Sequence, residues 1–189
     1  MRRTLFLLSG LIVLWAIGTL IRDAYRNYNT PVARSLPLSP LRTHENDLVL
    51  QLEQGKTISL DDIKTIRAYV DGRYDCSDFK LQSSLRMLYR HRARLTPAMV
   101  NELEQMLLGF KYWLDEPGID GMCYWSENHQ LLFAAAEYLA GQWLPDSVFG
   151  NSGLNGRQHM AKARPRILAW LHLRWLYGFS EWYSNVYYI

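Results

Sequence analysis

The first two dozen residues constrain this chain more than any other part of it. Arg2 and Arg3 precede an uncharged and mostly apolar stretch from Thr4 to Ile21. The length of this stretch is close to the minimum that an α-helix needs to cross a bilayer. We therefore predict a membrane segment over residues 1–28. It is an uncleaved signal-anchor helix or a signal peptide cleaved near Ala16-Ile17-Gly18, and the remaining alternative is a buried helix of a soluble core.

Two features favour the uncleaved anchor. Trp15 is bulky for a cleavage site, and the apolar character continues to Ile21. The positive-inside rule then places Arg2 and Arg3 in the cytoplasm, although Arg22 on the far side weakens that signal. We expect a single-pass membrane protein whose domain lies on the extracytoplasmic side.

The rest of the chain divides into a tether and a domain. Residues 29–46 contain three prolines, which disfavour a helix and favour extended backbone. We predict one helical domain over residues 47–189. Hydrophobic residues make up 49% of the chain and aromatic residues 13%, which excludes a disordered protein. The net charge of +3, without a dense basic stripe, predicts no nucleic-acid partner.

The domain is predicted to be all-α, because no segment alternates apolar and polar residues with period 2. Four helix starts are marked by capping residues. They are Ser59 with Asp62, Asp75 or Ser77, Thr96 ahead of Pro97, and Ser126.

Helix ends are predicted from glycine and proline. Gly72 closes the first helix, and Pro117-Gly118 stops the third after Leu114. A fifth helix is expected from about Arg157 to Tyr177, with Pro165 either kinking it or moving its start.

Short links between the first three helices make neighbouring helices antiparallel. Alternate helices then point the same way. One side of the domain collects residues 73–78, 113–129 and 180–183, and the opposite side receives the Gly/Asn-rich loop after Pro145. Cys76 and Cys123 fall on the same side. A disulfide between them is one expectation for an exported chain, and two free thiols are the other.

The densest polar cluster runs from Tyr124 to His129, at the predicted start of the fourth helix. The helix dipole there opposes a charged imidazole, so we predict that His129 is neutral, the form that a general base needs. Asn128 offers an amide that can polarise a carboxyl group. Glu127 stays ionised. In the alternative interpretation, Glu127 and His129 are only capping and core residues.

Neighbouring segments complete this candidate site. Asp75, Asp78 and Glu181 face the cluster, which provides the paired carboxylates that glycoside hydrolysis uses. Trp125 and Trp182 offer surfaces for stacking on a sugar ring, a protein partner or a membrane interface. Arg174 is placed to pair with Glu181.

We predict no metal site and no cofactor from sequence motifs. The histidines are not at ligand spacing, and the chain has no H-x-x-x-H or C-x-x-C. Signatures for a dinucleotide, a phosphate loop and a G-x-S-x-G nucleophile are also missing.

Two segments carry a family resemblance. WSENHQLLFAAAEYLAGQ and GFSEWYSNVYY resemble uncharacterised bacterial proteins with an (α/α) toroid, the fold of many polysaccharide lyases and six-hairpin glycosidases. The resemblance covers about residues 71–188. It implies that Asn128 and His129 match a lyase Asn–His pair, with Tyr124 or Tyr183 as the tyrosine proton donor. A complete toroid needs about six hairpins, so we expect a partial toroid whose last helix is left uncovered.

Two functions follow as hypotheses. The first is an exported, membrane-tethered carbohydrate-active enzyme, or a fragment of one, acting on a glycan. The second is a non-catalytic membrane-anchored interaction module whose partner is the remaining toroid segment or another protein. A site that is open to solvent favours the enzyme, whereas buried and mutually bonded side chains favour the module.

Overall fold

The computed structural model describes residues 17–19, 21 and 45–181. Residues 29–44 of the predicted tether and most of the predicted membrane segment lie outside this range. Across the described residues, no helix combines the length and the apolar character that a membrane span requires. The same residues contain no β-strand, which confirms the all-α prediction.

Six α-helices and one short 3-10 helix form the described domain. They are α1 Glu45–Glu53, α2 Leu60–Asp71, α3 Ser77–His91, the 3-10 helix Arg92–Arg94, α4 Pro97–Gly109, α5 Glu127–Trp143 and α6 Gly156–Tyr177. Helix α1 was not predicted, because its sequence has no capping signal. It nevertheless contributes Leu48, Val49 and Leu52 to the core.

The predicted start and end of α2 are confirmed. Ser59 Oγ accepts a hydrogen bond from the Asp62 N–H at 3.1 Å, and Asp62 accepts one from the Ser59 N–H at 3.0 Å. The helix ends at Gly72 and buries Ile63, Ile66 and Val70. These side chains pack into a core with α3 and α4.

The predicted cap of α3 is wrong. Its N-cap is Cys76, in the left-handed conformation with φ 64° and with no capping bond from its side chain. Asp75 Oδ1 instead accepts a hydrogen bond from the Cys123 N–H at 3.1 Å, and Ser77 Oγ donates one to the Tyr74 carbonyl at 2.6 Å. Both side chains are therefore used to fix loops rather than to cap the helix.

Helix α4 begins as predicted but ends earlier. Thr96 Oγ accepts a hydrogen bond from the Met99 N–H at 3.3 Å, ahead of Pro97. The helix stops at Gly109, because Phe110 adopts an extended conformation and is buried. Residues 110–126 form a long non-helical segment, so the prediction of helix through Leu114 is wrong.

Helices α5 and α6 begin close to their predicted positions. Ser126 precedes α5, and Asn155 caps α6 in a capping box with Gln158. Pro165 lies inside α6, so it does not move the start of the helix. Because proline has no N–H, the Ala161 carbonyl loses its usual partner four residues on.

The helix directions agree with the prediction that alternate helices point the same way. Gln82 Nε2 donates to the Leu132 carbonyl at 2.8 Å and Tyr89 Oη to the Leu139 carbonyl at 2.9 Å, so α3 and α5 run side by side in one direction. Helix α6 returns antiparallel along α5. A Cβ added at Gly141 would lie only 2.4 Å from the Gly156 carbonyl oxygen, which shows how closely the two backbones approach.

The Gly/Asn-rich loop after α5 is not on the opposite side as predicted. Arg73 Nη2 donates to Asn151 Oδ1 at 2.6 Å, and the Gly150 N–H donates to the Leu108 carbonyl at 2.8 Å. Phe149 is fully buried and anchors the loop in the core. The alternation of helix directions predicts on which side of the domain each helix ends, but it does not predict how far a loop folds back.

Candidate functional site

Glu127, at the start of α5, binds the segment that follows α6. Its Oε2 accepts hydrogen bonds from Arg174 Nη1 at 2.5 Å and from the Ser180 N–H at 2.8 Å, and it also accepts one from the Ser180 hydroxyl. Trp170 Nε1 donates to the Glu127 carbonyl at 2.8 Å. Burial raises the pKa of Glu127, but the Ser180 bonds and Arg174 outweigh it, so the net pKa is lowered.

Asn128 and Glu181 belong to the same set of contacts. Glu181 Oε2 accepts a hydrogen bond from the Asn128 N–H at 2.8 Å. The Asn128 side-chain oxygen accepts from Ser126 Oγ at 2.6 Å and from the His129 N–H at 2.8 Å. Arg174 pairs with Glu127. The predicted pairing of Arg174 with Glu181 is therefore wrong. These bonds satisfy free N–H groups of the first turn of α5.

His129 is paired with a carboxylate from another helix. Its Nδ1 lies 2.6 Å from Asp78 Oδ2, and the Asp78 side chain is fully buried. Burial is the main cause that raises the pKa of Asp78 to about 6, while His129 acts in the opposite direction. The edge of the His129 ring meets Phe79 at a centroid distance of 5.3 Å. The bond holds the imidazole in one orientation.

The two aromatic residues before the helix have different surroundings. Tyr124 is 3% exposed, stacks on Phe133 at 4.4 Å and donates its hydroxyl to Asp120 Oδ2 at 3.3 Å. Burial and the Asp120 charge raise its pKa well above 10. Trp125 is 77% exposed and is available to a ligand. Trp182 and Tyr183 lie outside the described residues.

The cysteines and Asp75 lie beside His129. Cys76 and Cys123 are free thiols here, the first exposed and the second half-buried. The disulfide between them stays a prediction. Burial and the neighbouring Asp75 carboxylate raise the pKa of Cys76 to about 11. One ligand atom from each of Asp75, Cys76 and His129 lies within 4.8 Å of the others.

A buried polar network was missed by the sequence analysis. Glu137 and His159 are fully buried, with His159 Nδ1 2.7 Å from Glu137 Oε1. Lys162 Nζ lies 2.8 Å from Glu116 Oε1 and 3.6 Å from Glu137 Oε1, and Arg166 also pairs with Glu137. One potential ligand atom from each of Glu116, Glu137 and His159 lies within 4.8 Å of the others. Lys162 and Arg166 compensate the negative charges of Glu116 and Glu137. The network joins α5, α6 and the segment after α4.

The sequence does contain a signal for this network. His159, Lys162 and Arg166 recur at spacings of three and four residues, which puts them on one face of a helix. Glu137 stands within the small apolar run FAAAEYLA. A carboxylate among buried apolar residues requires cationic partners, and this face of α6 supplies them.

Comparison with known proteins gave no match. No family model fits this chain, and neither a curated protein nor a solved structure is similar to it. The resemblance to toroid proteins therefore stays a hypothesis, and function has to be argued from the side chains themselves.

Proposed function

We propose that this chain is a membrane-tethered, extracytoplasmic interaction module that binds a helical partner along α6. The observation that carries the proposal is the uncovered apolar surface of that helix. Leu168 is 53% exposed, Leu171 49% and Trp175 87%. Their spacing of three and four residues places them on one stripe, with Arg164 and His172 beside it. We call these five residues the outer face of α6.

Such a stripe is costly to leave in water. Large apolar side chains that are exposed together on one face mark interaction sites, and anchors at i, i+3 and i+7 suit a partner helix. Ala163 and Trp170 are buried on another side of α6, and Trp170 bonds to the Glu127 carbonyl of α5. Leu173, Leu176 and Tyr177 near the end of the helix are exposed as well. A second helix lying on the outer face would enclose α6 from both sides.

Charge specifies the chemistry of the partner. Helix α6 contains no acidic residue, and its basic side chains Lys162, Arg166 and Arg174 are paired with carboxylates of this chain. Arg164 on the outer face has no ion pair among the described residues. The complementary partner is a helix with leucine-type side chains and flanking carboxylates.

The bonding of Glu127, Asn128 and Glu181, which we call the Glu127 cluster, supports a module over an enzyme. Glu127 and Asn128 are buried, and together with Glu181 they hold residues 178–181 against α5. Side chains whose hydrogen bonds join two segments of the chain have a structural role. The membrane segment and the extracytoplasmic location rest on the sequence.

Photo-crosslinking in native membranes tests the proposal. A photoreactive amino acid replaces Leu171 in the full chain, and the matched control replaces Leu114, which is 62% exposed outside α6. We expect one defined crosslinked product from position 171, joined to an amphipathic acidic helix identified by mass spectrometry, and none from position 114. Crosslinks to lipid alone, to a second copy of this chain, or equally from both positions overturn the proposal.

A carbohydrate-active enzyme is the second candidate, and the Asp78–His129 pair favours it. A buried carboxylate on Nδ1 orients an imidazole so that Nε2 can act as a base. The exposed Trp125 lies four residues away, where it offers a stacking surface for a sugar. Assays for reducing ends and unsaturated products on anionic and neutral glycans test this candidate. Activity that persists in His129→Ala removes His129 from the mechanism.

A further inference from the structure

The start of α3 and the start of α5 bring three metal-ligating side chains together outside the Glu127 cluster. A carboxylate oxygen of Asp75, the sulfur of Cys76 and a ring nitrogen of His129 lie within 4.8 Å of one another. We propose that these three residues bind one divalent transition-metal ion of the zinc class. Thiolate, imidazole and carboxylate are the ligands that zinc takes in proteins.

Asp78 prepares His129 for this role. Metal-bound histidines almost always present their other ring nitrogen to a carboxylate or carbonyl, which fixes the ring. Here Nδ1 of His129 lies 2.6 Å from Asp78 Oδ2, so we assign the other nitrogen, Nε2, to the ion. The second oxygen of Asp78 is buried and has no hydrogen-bond partner among the described residues. Asp78 is thus a positioning residue whose charge stays close to the site.

The loop before α3 holds the other two ligands in place. The Asp75 carboxylate accepts a hydrogen bond from the Cys123 N–H at 3.1 Å, and its carbonyl accepts one from Tyr69 Oη at 2.7 Å. Cys76 adopts a positive φ of 64°, which is uncommon for a residue with a Cβ. The turn presents both side chains to solvent, where an ion can enter.

The distances are compatible with a metal site after a small closure. Zinc bonds of the usual length in a tetrahedron place ligand atoms about 3.3–3.8 Å apart. The present separations of up to 4.8 Å require a closure on the order of 1 Å. Asp75 and Cys76 are exposed and can rotate inward. Three protein ligands leave a fourth position for water, the pattern of an open zinc site.

The metal site and the second functional candidate compete for one atom. An ion on Nε2 of His129 removes the base that the carbohydrate-active enzyme needs, whereas the interaction module on α6 is unaffected. Metal binding can therefore fail or succeed independently of the α6 crosslinking result.

Metal titration of the full chain in detergent tests the site. The protein is stripped with chelator, kept reduced and titrated with ZnCl₂ by calorimetry, and with CoCl₂ by absorption. We expect one ion per chain and a cobalt–thiolate charge-transfer band. Asp75→Asn and Cys76→Ser change exposed residues, so folding should survive. Each should weaken zinc binding at least about tenfold, and Cys76→Ser should abolish the band.

Matched controls separate this site from adventitious binding. Cys123→Ser removes the other thiol and His172→Gln removes an exposed histidine, and both should bind like the original chain. Asp78→Asn keeps all three ligands and should weaken binding about 10- to 100-fold without losing the cobalt band. The proposal is overturned if zinc does not bind, if Cys76→Ser binds normally, or if the two controls lose binding to the same extent.

Discussion

Asp78 and His129 form a buried acid–base pair that joins the first turns of α3 and α5, with Oδ2 and Nδ1 2.6 Å apart. Burial raises the pKa of Asp78 to about 6, and His129 restrains the rise. We expect the Asp78 carboxyl carbon to titrate near pH 6 in an NMR experiment with ¹³C-labelled aspartate. In His129→Gln the lowering influence is lost, so the midpoint should move higher. A midpoint near pH 4 in the original chain would contradict the buried pairing.

The charge of Glu127 should stabilise the packing of residues 178–181 against α5. Replacement by Gln removes the charge that Arg174 and Ser180 share, and charge-assisted bonds of this kind are worth about 1–3 kcal/mol. We expect Glu127→Gln to lower the free energy of unfolding by that amount at pH 7. Chemical denaturation of the full chain in detergent measures it, with Glu104→Gln as a control that changes a partly buried carboxylate elsewhere.

The stability difference between the original chain and Glu127→Gln should depend on pH. The folded pKa of Glu127 is lowered, so its stabilising effect is present above the unfolded value of about 4.5 and is lost as the pH falls below it. The stability difference between the original chain and Glu127→Gln should therefore shrink between pH 6 and pH 3.5. A difference that stays constant with pH would mean that the charge of Glu127 contributes nothing.

Local signals in the sequence predicted most helix starts correctly. Ser59 and Thr96 accept the capping bonds that their positions indicate, because a cap depends only on the next three residues. The end of α4 was beyond such reasoning. Phe110 leaves the helix to enter the core against Phe133, and the resulting burial is decided by residues far along the chain.

The candidate site was predicted in outline but not in its bonding. The predicted helix directions brought Asp75 and Asp78 near His129. In the structure, Asp78 Oδ2 lies 2.6 Å from Nδ1 of the imidazole. Spacing along the chain gave no indication of a metal site, because Cys76 precedes α3 and His129 lies in the first turn of α5, 53 residues later. An uncovered last helix was expected only from the toroid resemblance, which stays a hypothesis. The exposure of Trp175, at 87%, is a finding of the structure.

Gly141 should tolerate no side chain. A Cβ there meets the Gly156 carbonyl oxygen at 2.4 Å, and this backbone atom cannot move without separating α5 from α6. We expect Gly141→Ala to destabilise the domain by about 1–3 kcal/mol, the usual cost of overpacking. Gly109→Ala is the matched control, because no atom lies within 4 Å of its added Cβ. Thermal unfolding of both variants gives the comparison, and equal midpoints would refute the close approach.

Cys76 should react slowly with alkylating reagents despite its exposure. Burial of the sulfur, followed by the charges of Asp75 and Asp78, raises its pKa to about 11, so little thiolate exists at pH 8. Peptide mapping of iodoacetamide-treated, reduced and metal-free protein should show a rate that still increases above pH 9. Asp75→Asn removes one negative charge and should speed the reaction at pH 8. A rate that levels off by pH 8 would contradict the raised pKa.

The most direct test of the interaction module is the size of the complex that the full chain forms in gently solubilised native membranes. Leu171→Asp places a charge at the centre of the outer face of α6, and Leu114→Asp places the same charge on an exposed residue elsewhere. Blue native electrophoresis should show a complex larger than the single chain for the original protein and for Leu114→Asp, and its loss in Leu171→Asp. A single-chain species in all three, or a complex that survives Leu171→Asp, would contradict a partner on α6.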